Sequence, residues 1–414
     1  MMRVQHMFWP RKKSVSTSPR IYLDHAAATP LLPEVLMAMR EVEVVHFANP
    51  SAIHSEGVTA RRVIDGARGQ LARVLGVREP GIIFTGSGTE SNNLAIIGTV
   101  YAKQKEGVAF ADMEVITTAI DHPSVTKTTD FLKLLGVVVK MVAVDTHGHI
   151  IPNELEAALS PKTVLVTFAY VNSEIGVVQR MGRLARVVRA YERREGTRIL
   201  LHLDAAQAPL WLPCQLDQLQ ADIISLDAGK CGGPKGVGVI AMRHGVVLSP
   251  VIFGGPQEDG LRPATENLVG IVGAAVAIVE AQQGYKERAA EVVKLRDGFI
   301  KELLMIEGVV INGDMESRVA NNVNISIPGI DSEFAVICLD EAGVACSTKS
   351  ACSSGAGGGG STVVKTISGD AARATSSIRF TLGLDTTMIE LQRTVEILKK
   401  YIEKTLTFKN KLVK

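Results

Sequence analysis

Seven short apolar runs occur between residues 81 and 242, and segments with helical periodicity separate most of them. The runs are continuous in Val, Ile and Leu, which is typical of strands buried on both faces of a sheet. Strands that alternate with helices at this spacing predict an α/β fold with a mostly parallel central sheet. The predicted strands are 81–84, 114–119, 137–144, 163–170, 199–204, 222–226 and 237–242, and the predicted helices are 57–75, 89–104, 123–135, 152–159 and 180–195.

The pattern changes near residue 265, where a long helical stretch (266–305) precedes shorter strand-like and helical segments. At 414 residues the chain exceeds what one hydrophobic core usually holds. We therefore expect a large domain at 21–265, whose first ~15 residues could pack on the other domain, and a smaller α+β domain at 266–414. Residues 1–20 carry five Lys or Arg and no acid, so we expect a disordered tail, with organelle targeting left open.

Charge and cysteine content argue against several classes of protein. Lys and Arg total 45 against 43 Asp and Glu, so no nucleic acid or anionic membrane is expected as a partner. No apolar run approaches the ~20 residues of a membrane span. The five cysteines form no CxxC pair, which favours a reducing compartment such as the cytoplasm over a disulfide framework. No Cys/His cluster has zinc-ligand spacing, so no metal is expected.

Three predicted strands end in residues suited to a charged, planar cofactor. Gly86 and Gly88 turn the backbone after one strand, and Thr89 opens a helix whose free N–H groups can bind an anion, although a plain glycine turn that caps the helix explains these residues equally well. Asp204 ends a second strand, where it either pairs with a cation or caps the next turn. Lys230 follows a third strand and is either a Schiff-base lysine or a surface lysine. Their coincidence favours pyridoxal phosphate, which requires a phosphate cradle, an acid and a lysine.

Ten motifs in order make the chain resemble the NifS/IscS-like cysteine desulfurases, in the class V aminotransferase branch of pyridoxal-phosphate fold type I. The resemblance covers roughly residues 21–405. It implies an enzyme that converts L-cysteine to L-alanine and passes the sulfur, as a persulfide, to acceptor proteins of iron–sulfur cluster assembly or tRNA thiolation. The motifs are YLDHAAATP (22–30), NPSAIHSEG (49–57), GSGTESNN (86–93), DHPSV (121–125), NSEIGVVQ (172–179), DAAQA (204–208), GKCGGPKGVG (229–238), GGPQEDGLRPATEN (254–267), SACSSG (350–355) and SSIRFTLG (376–383).

The resemblance implies four residues around the cofactor ring. Lys230 matches the lysine that forms the Schiff base, and it is the base that we expect to remove the substrate's α-proton. Asp204 matches the partner of the pyridine nitrogen, and Gln207 matches the partner of the ring hydroxyl. His122 matches the histidine that stacks on the ring and relays protons.

The resemblance also implies residues for the phosphate and for the substrate. Gly88 and Thr89 match the phosphate loop. Thr265 matches a threonine that reaches the phosphate of the neighbouring subunit, which implies a homodimer. Arg379 matches the arginine that grips the substrate carboxylate, a bidentate task to which Arg is well suited. Ser173 lies at the position of a family residue near the ring hydroxyl and the substrate.

Cys352, in SACSSG, matches the family's persulfide-forming cysteine. It lies 27 positions before the substrate arginine, as in the long-loop, IscS-like group, and the segment GAGGGG (355–360) is typical of a flexible loop. Three other cysteines lie in apolar or packed contexts, so we expect them to be structural: Cys214, Cys231 and Cys338. Cys346 can be either structural or reactive, and we favour a place in a core strand.

Two departures from the family pattern affect the cofactor site. The family has Ser-x-His-Lys where this chain has Asp227-Ala-Gly-Lys230, so a carboxylate and Gly229 replace a hydroxyl and an imidazole that face the phosphate. Since a carboxylate repels phosphate, we expect Asp227 to point elsewhere or other groups to hold the phosphate. Ser173 stands where the family has asparagine. Two alternative functions stay open: another class V enzyme (a selenocysteine lyase or an aminotransferase-like relative), and a non-catalytic sulfur-transfer scaffold.

Overall fold

The computed structural model describes residues 20–348 and 360–412, with side chains as far as residue 405. The strands in these ranges are β1 (Ile21–Tyr22), β2 (Ile82–Thr85), β3 (Glu114–Thr118), β4 (Val138–Val142), β5 (Thr163–Ala169), β6 (Leu200–Asp204), β7 (Ile223–Asp227), β8 (Gly238–Met242), β9 (Val310–Ile311), β10 (Asn322–Ser326), β11 (Val344–Ala345) and β12 (Ser377–Thr381). The helices are α1 (Pro33–Val45), α2 (Ser55–Leu75), α3 (Gly88–Lys105), α4 (Pro123–Leu134), α5 (Pro152–Ala158), α6 (Met181–Glu195), α7 (Leu216–Leu219), α8 (Leu268–Gln283), α9 (Tyr285–Leu304), α10 (Ser332–Glu341), α11 (Thr362–Ser368), α12 (Ala371–Thr375) and α13 (Met388–Leu412).

Strands β2 to β8 form the central sheet, in the order β2-β8-β7-β6-β5-β3-β4. Strand β8 is antiparallel to both of its neighbours, and the other pairs are parallel. The prediction of a mostly parallel α/β sheet is confirmed. Because β2 and β7 both pair antiparallel with β8, they point the same way, and their carboxyl ends lie at the same edge as those of β3, β5 and β6. That edge is where open α/β sheets bind ligands.

Both faces of this sheet are covered, as the continuous apolar runs predict. Successive side chains of a strand point to opposite faces, and both Leu165 and Val166 of β5 are fully buried. Val166 belongs to a core that includes Ile64 of α2 and Leu184 of α6. Leu165 belongs to the core on the other face, with residues of α3 and α4 such as Leu94. The sheet therefore lies between two layers of helices.

A smaller antiparallel sheet, in the order β12-β10-β9, lies in the C-terminal part of the chain. Helix α9 contacts β10, α10 contacts β12, and α13 packs against both helices. Strand β1 pairs with β11 in parallel, with Ile21 opposite Val344. The beginning of the described chain is thus attached to the C-terminal part, more than 300 residues away in sequence. The assignment of domain boundaries at residue 265 stays a prediction.

The stretch 266–305 is not the single helical segment that the sequence predicts. It forms α8 and α9, which are bent by 72° at Gly284, a residue that weakens a helix interior. Arg288 of α9 donates hydrogen bonds to the carbonyls of Glu280 and Ala281, which satisfies acceptors left free at the end of α8. In the described ranges no single helix is long and apolar enough to cross a membrane, and α8 and α9 meet that test of length and composition only as a bent pair.

Candidate active site

The loops that follow β3, β6 and β7 meet at the carboxyl edge of the central sheet. His122 and Lys230 lie on the loops after β3 and β7, Asp204 is the last residue of β6, and Arg379 of β12 approaches from the smaller sheet. The charges of Asp204, Lys230, Asp227 and Arg379 all act on the His122 imidazole. These four residues, to which the family resemblance assigns the cofactor and the substrate, therefore lie around one region at the sheet edge, called the cleft below.

Lys230 ends a tight turn, Ala228–Lys230, that follows β7 directly. It is partly exposed, and among the described residues its amine has no hydrogen-bond or ion-pair partner. The Asp227 carboxylate caps the turn, with Oδ1 accepting a hydrogen bond of 3.0 Å from the backbone N–H of Gly229. The amine is thus presented to the cleft by a fixed backbone.

Thr29, from the YLDHAAATP motif, holds the same turn from the other side. Its hydroxyl lies 3.1 Å from the carbonyl of Gly229, to which it donates, and 2.7 Å from the backbone N of Gly232, from which it accepts. Gly232 has φ of +83°, and a Cβ there would collide with Leu32. This position therefore requires glycine, both for its backbone angle and for the close packing.

Asp204 ends β6, and both of its carboxylate oxygens are oriented. Oδ2 accepts a hydrogen bond of 2.8 Å from Nδ2 of Asn92, and Oδ1 accepts one of 3.0 Å from the backbone N–H of Ala206. Asp204 therefore caps the next turn and still presents a partly exposed carboxylate to the cleft. Gln207, the next residue after that donor, donates from Nε2 to the carbonyl of Ala26 at 2.9 Å.

His122 is the N-cap of α4. Its Nδ1 accepts a hydrogen bond from the backbone N–H of Ser124 at 3.1 Å and lies 2.7 Å from the Ser124 hydroxyl. Burial lowers the pKa of His122, because desolvation disfavours the charged imidazolium. Asp204 acts to raise this pKa and Lys230 acts to lower it, so the neighbouring charges partly cancel.

The predicted phosphate loop lies at the N-terminus of α3, and a side chain of this chain already occupies part of it. Oδ2 of Asp227 accepts a hydrogen bond from the backbone N–H of Gly88 at 3.4 Å. A Cβ at Gly88 would lie 3.1 Å from the Asp227 Cβ, so the two segments are in close contact. From the sequence we expected either that Asp227 points away from the phosphate loop or that other groups hold the phosphate. Asp227 does not point away from the loop. Its carboxylate lies where the helix N-terminus attracts an anion.

Arg379 lies on β12 and is almost fully buried, with 1% of its surface exposed. It donates to Oδ1 of Asp24 at 2.7 Å and to the backbone carbonyl of Ser173 at 2.9 Å. Its Nε is buried and has no hydrogen-bond partner in the described part of the chain. The structure thus brings Arg379 to Ser173 through the backbone of Ser173 and not through its hydroxyl, and their assignment to the substrate stays a prediction.

One predicted functional residue, Thr265, is not joined to this cleft by any described contact. Thr265 is exposed and follows Ala264, whose φ of +89° is unusual for a residue with a side chain. Cys352 lies outside the described residues. Of the other cysteines, Cys214 and Cys231 are fully buried, which raises the pKa of both thiols.

Sequence reasoning missed three residues of the site, namely Asp24, Asn92 and Ser124. Asp24 lies in YLDHAAATP, and Asn92 lies in GSGTESNN, so both belong to motifs that the sequence analysis quotes. Ser124 follows His122 by two positions, which is the spacing of a cap that bonds its own helix. A capping signal was therefore present in the sequence, but the partners of Asp24 and Asn92 are remote in sequence.

Known proteins resemble this chain along almost its whole length. The model of the aminotransferase class-V family matches residues 21–394. A "Cysteine desulfurase IscS" of Dictyoglomus turgidum is 38% identical over 388 residues, which is 94% of this chain and 95% of that protein. One from Methanosarcina thermophila is 36% identical over 83% of this chain and 82% of its own length. A solved structure described as a NifS-like protein has a TM-score of 0.85 and 31% identity, and covers 93% of this chain and 99% of its own.

Proposed function

The chain belongs to the aminotransferase class-V family and is a cysteine desulfurase of the NifS/IscS-like group, and we propose that it carries its cofactor on Lys230 and the sulfur it releases on Cys352. The observation that supports the first assignment is the juxtaposition of Lys230, Asp204 and His122 at one edge of the sheet. An amine without a partner, an oriented carboxylate and a half-buried imidazole are the donors that pyridoxal 5′-phosphate needs at its ring.

The ring end of the cleft fits this cofactor well. Asn92 and Ala206 orient the carboxylate of Asp204, which can keep a pyridine nitrogen protonated by lying beside it. When bound, pyridoxal phosphate supplies an electron sink that stabilises the negative charge left by removal of the α-proton. The phosphate end fits less well, because Asp227 occupies the N–H of Gly88. Fold and donor set nevertheless support the cofactor as a whole.

Arg379 is our proposed site for the carboxylate of L-cysteine. Its guanidinium has five N–H donors, and Asp24 and Ser173 use two of them. Asp24 therefore holds the guanidinium in place, and the N–H groups that these two partners leave unused include the unpaired, buried Nε. A buried arginine has few alternative positions, so we expect the substrate to bind in one orientation.

Lys230 is our proposed base for the substrate's α-proton, because its amine lies in the cleft without a competing partner. The thiolate of Cys352 then attacks the sulfur of the substrate, forming a new S–S bond as the carbon–sulfur bond breaks. The electrons of that bond stay with the substrate carbon, which takes up protons and leaves as alanine. Overall, L-cysteine and the Cys352 thiol become L-alanine and a Cys352 persulfide.

The persulfide's acceptor is, in this proposal, a protein of iron–sulfur cluster assembly or of tRNA thiolation. We further propose a cytoplasmic homodimer in which Thr265 serves the partner's site. The exposure of Thr265 is consistent with such a role, since a residue that reaches a second copy must lie at the surface of the first. Light scattering at micromolar concentration tests this, and a monomeric mass with cofactor still bound would contradict it.

The test of the function is to mix the purified full-length chain with pyridoxal phosphate and L-cysteine. We expect visible absorbance from covalently bound cofactor and release of alanine, and we expect Lys230→Ala to abolish both. Lys235→Ala is the matched control, since Lys235 lies in the same segment but donates to the carbonyl of Thr29. Absorbance without alanine release would instead favour another class V enzyme, and absence of both would favour a non-catalytic scaffold.

A further inference from the structure

A chain of hydrogen bonds, one buried and three partly buried, joins His122 to Asp204 through Ser124 and Asn92. Nδ2 of Asn92 lies 2.8 Å from Oδ2 of Asp204 and 2.8 Å from Oγ of Ser124. Oγ of Ser124 lies 2.7 Å from Nδ1 of His122, and the backbone N of Ser124 lies 3.1 Å from the same atom. Asn92 and Ser124 are 1% and 7% exposed, so water competes little for these bonds.

The direction of each hydrogen bond follows from the chemistry of the groups. An ionised carboxylate only accepts, so the amide nitrogen of Asn92, and not its oxygen, must face Asp204. The same nitrogen donates its second hydrogen to Ser124, whose hydroxyl is left with its own hydrogen for His122. The backbone N–H of Ser124 can only donate, which makes Nδ1 of His122 an acceptor. A neutral imidazole that accepts at Nδ1 carries its hydrogen on Nε2.

We propose that Asn92 and Ser124 are positioning residues that hold His122 as the neutral tautomer with its hydrogen on Nε2. Placing a proton on Nδ1 would break the backbone hydrogen bond that caps α4, at the first turn of a helix of 12 residues. Nε2 is therefore the ring atom that exchanges hydrogen bonds with the ligand in the cleft. This rests on the proposed function only in taking that ligand to be cofactor and substrate.

The charges that face His122 do not favour protonation strongly. Asp204 and Asp227 act to stabilise the imidazolium, whereas Lys230 and Arg379 oppose it, so two charges of each sign act on the ring. Burial has the largest effect and favours the neutral form. The electrostatic surroundings are thus compatible with the tautomer that the hydrogen bonds require.

Nitrogen NMR of the full-length protein, labelled with ¹⁵N-histidine, tests the proposal with and without pyridoxal phosphate. The resonances of His122 are assigned by their loss in His122→Gln. We expect Nε2 to carry the hydrogen and Nδ1 to be unprotonated near neutral pH in the wild type. Ser124→Ala removes the hydroxyl but keeps the backbone donor, and should raise the pKa of His122 by about 0.5–1 unit. Ser124→Thr, which retains a hydroxyl, should restore the wild-type value.

Ser332→Ala is the matched control, because Ser332 is also buried and its hydroxyl bonds the carbonyl of Thr375 in another part of the molecule. It should leave the His122 titration unchanged. A proton on Nδ1 in the wild type overturns the proposal, and so does a Ser124→Ala titration that matches the wild type. These readouts do not depend on turnover, so loss of desulfurase activity would reject the proposed function without deciding the tautomer.

Discussion

Asp227 and Gly229 provide a direct test of how this chain holds the phosphate of its cofactor. We expect the double variant Asp227→Ser, Gly229→His to bind pyridoxal phosphate more tightly than the wild type. Asp227 lies with its carboxylate at the backbone N–H groups of Gly88 and Gly229. The first substitution removes an anion from that position, and the second adds an imidazole that can donate to a phosphate.

The magnitude follows from two contributions. Two unit charges 4 Å apart repel by about 4 kcal/mol at an effective dielectric constant of 20, and partial exposure of Asp227 reduces this considerably. A charge-assisted hydrogen bond from the new imidazole adds about 1.5–3 kcal/mol. Because neighbouring effects are not additive, we expect a total gain of about 10- to 100-fold in affinity.

The backbone at positions 227 and 229 is compatible with both substitutions. A Cβ at Gly229 would lie 3.3 Å from Oδ1 of Asp227 and 3.5 Å from Cγ of Lys235, and the shorter serine removes the nearer contact. Gly229 does not have a positive φ, so histidine introduces no backbone strain there. Serine at position 227 can still cap the turn that ends at Lys230, since serine is a good capping residue.

The assay is an absorbance titration of cofactor-free protein with pyridoxal phosphate, followed by measurement of cofactor loss on dialysis. Asp227→Asn separates charge from shape, and Gly229→His alone measures the imidazole with the carboxylate retained. Asp331→Ser is the control, because Asp331 also caps a helix, α10, through its side chain. If the double variant loses cofactor as readily as the wild type, other groups already satisfy the phosphate, and the reasoning is refuted.

Three further predictions concern other parts of the chain. Cys352→Ser should keep the absorbance of bound cofactor but lose persulfide formation, because an alcohol is a poor replacement for a thiolate. Cys346→Ser is the control and should retain turnover, because burial raises the pKa of the Cys346 thiol. If Cys346→Ser loses turnover and Cys352→Ser keeps it, the wrong cysteine is assigned. Ala264→Gly should raise the free energy of unfolding by about 0.5–1 kcal/mol, because φ is +89° there, and urea denaturation that gives no gain would contradict this. Although burial acts to raise the pKa of Asp314, its hydrogen bonds with His149 and backbone N–H groups lower it to about 2. An aspartate in the unfolded chain has a pKa of about 4, so the lower pKa in the folded chain stabilises the fold above that pH. Asp314→Asn should therefore lower the free energy of unfolding by about 1–2 kcal/mol at pH 7. This loss should become smaller as the pH falls towards 2, which urea midpoints at pH 7 and pH 3 would detect.

The amino-acid sequence was sufficient to predict the central sheet and the residues at its edge. Strand periodicity is local, so the continuous apolar runs located β5, β6 and β7 to within one or two residues. Strands that alternate with helices along the chain usually run parallel, and the carboxyl ends of parallel strands meet at one edge. The order of residues along the chain was therefore enough to place Asp204 and Lys230 near each other.

The sequence could not decide how the side chains at that edge pair. Asp24 and Arg379 are 355 positions apart, and they meet only because the start of the described chain lies beside the smaller sheet. Nothing in the sequence near Asp227 predicts its contact with the N–H of Gly88, which begins a helix 139 positions earlier. Such contacts depend on how whole elements pack, and no periodicity in the chain encodes them.

Tertiary structure also determined where one continuous helical pattern is interrupted. The apolar pattern of 266–305 continues through Gly284, yet the chain bends there by 72°. Glycine lowers the cost of a break but does not require one. The bend lets α8 pack on α1 and α2 while α9 packs on α13 and β10. Burial of both helices against different partners, which only the folded chain supplies, is the physical reason that the helix ends at this residue.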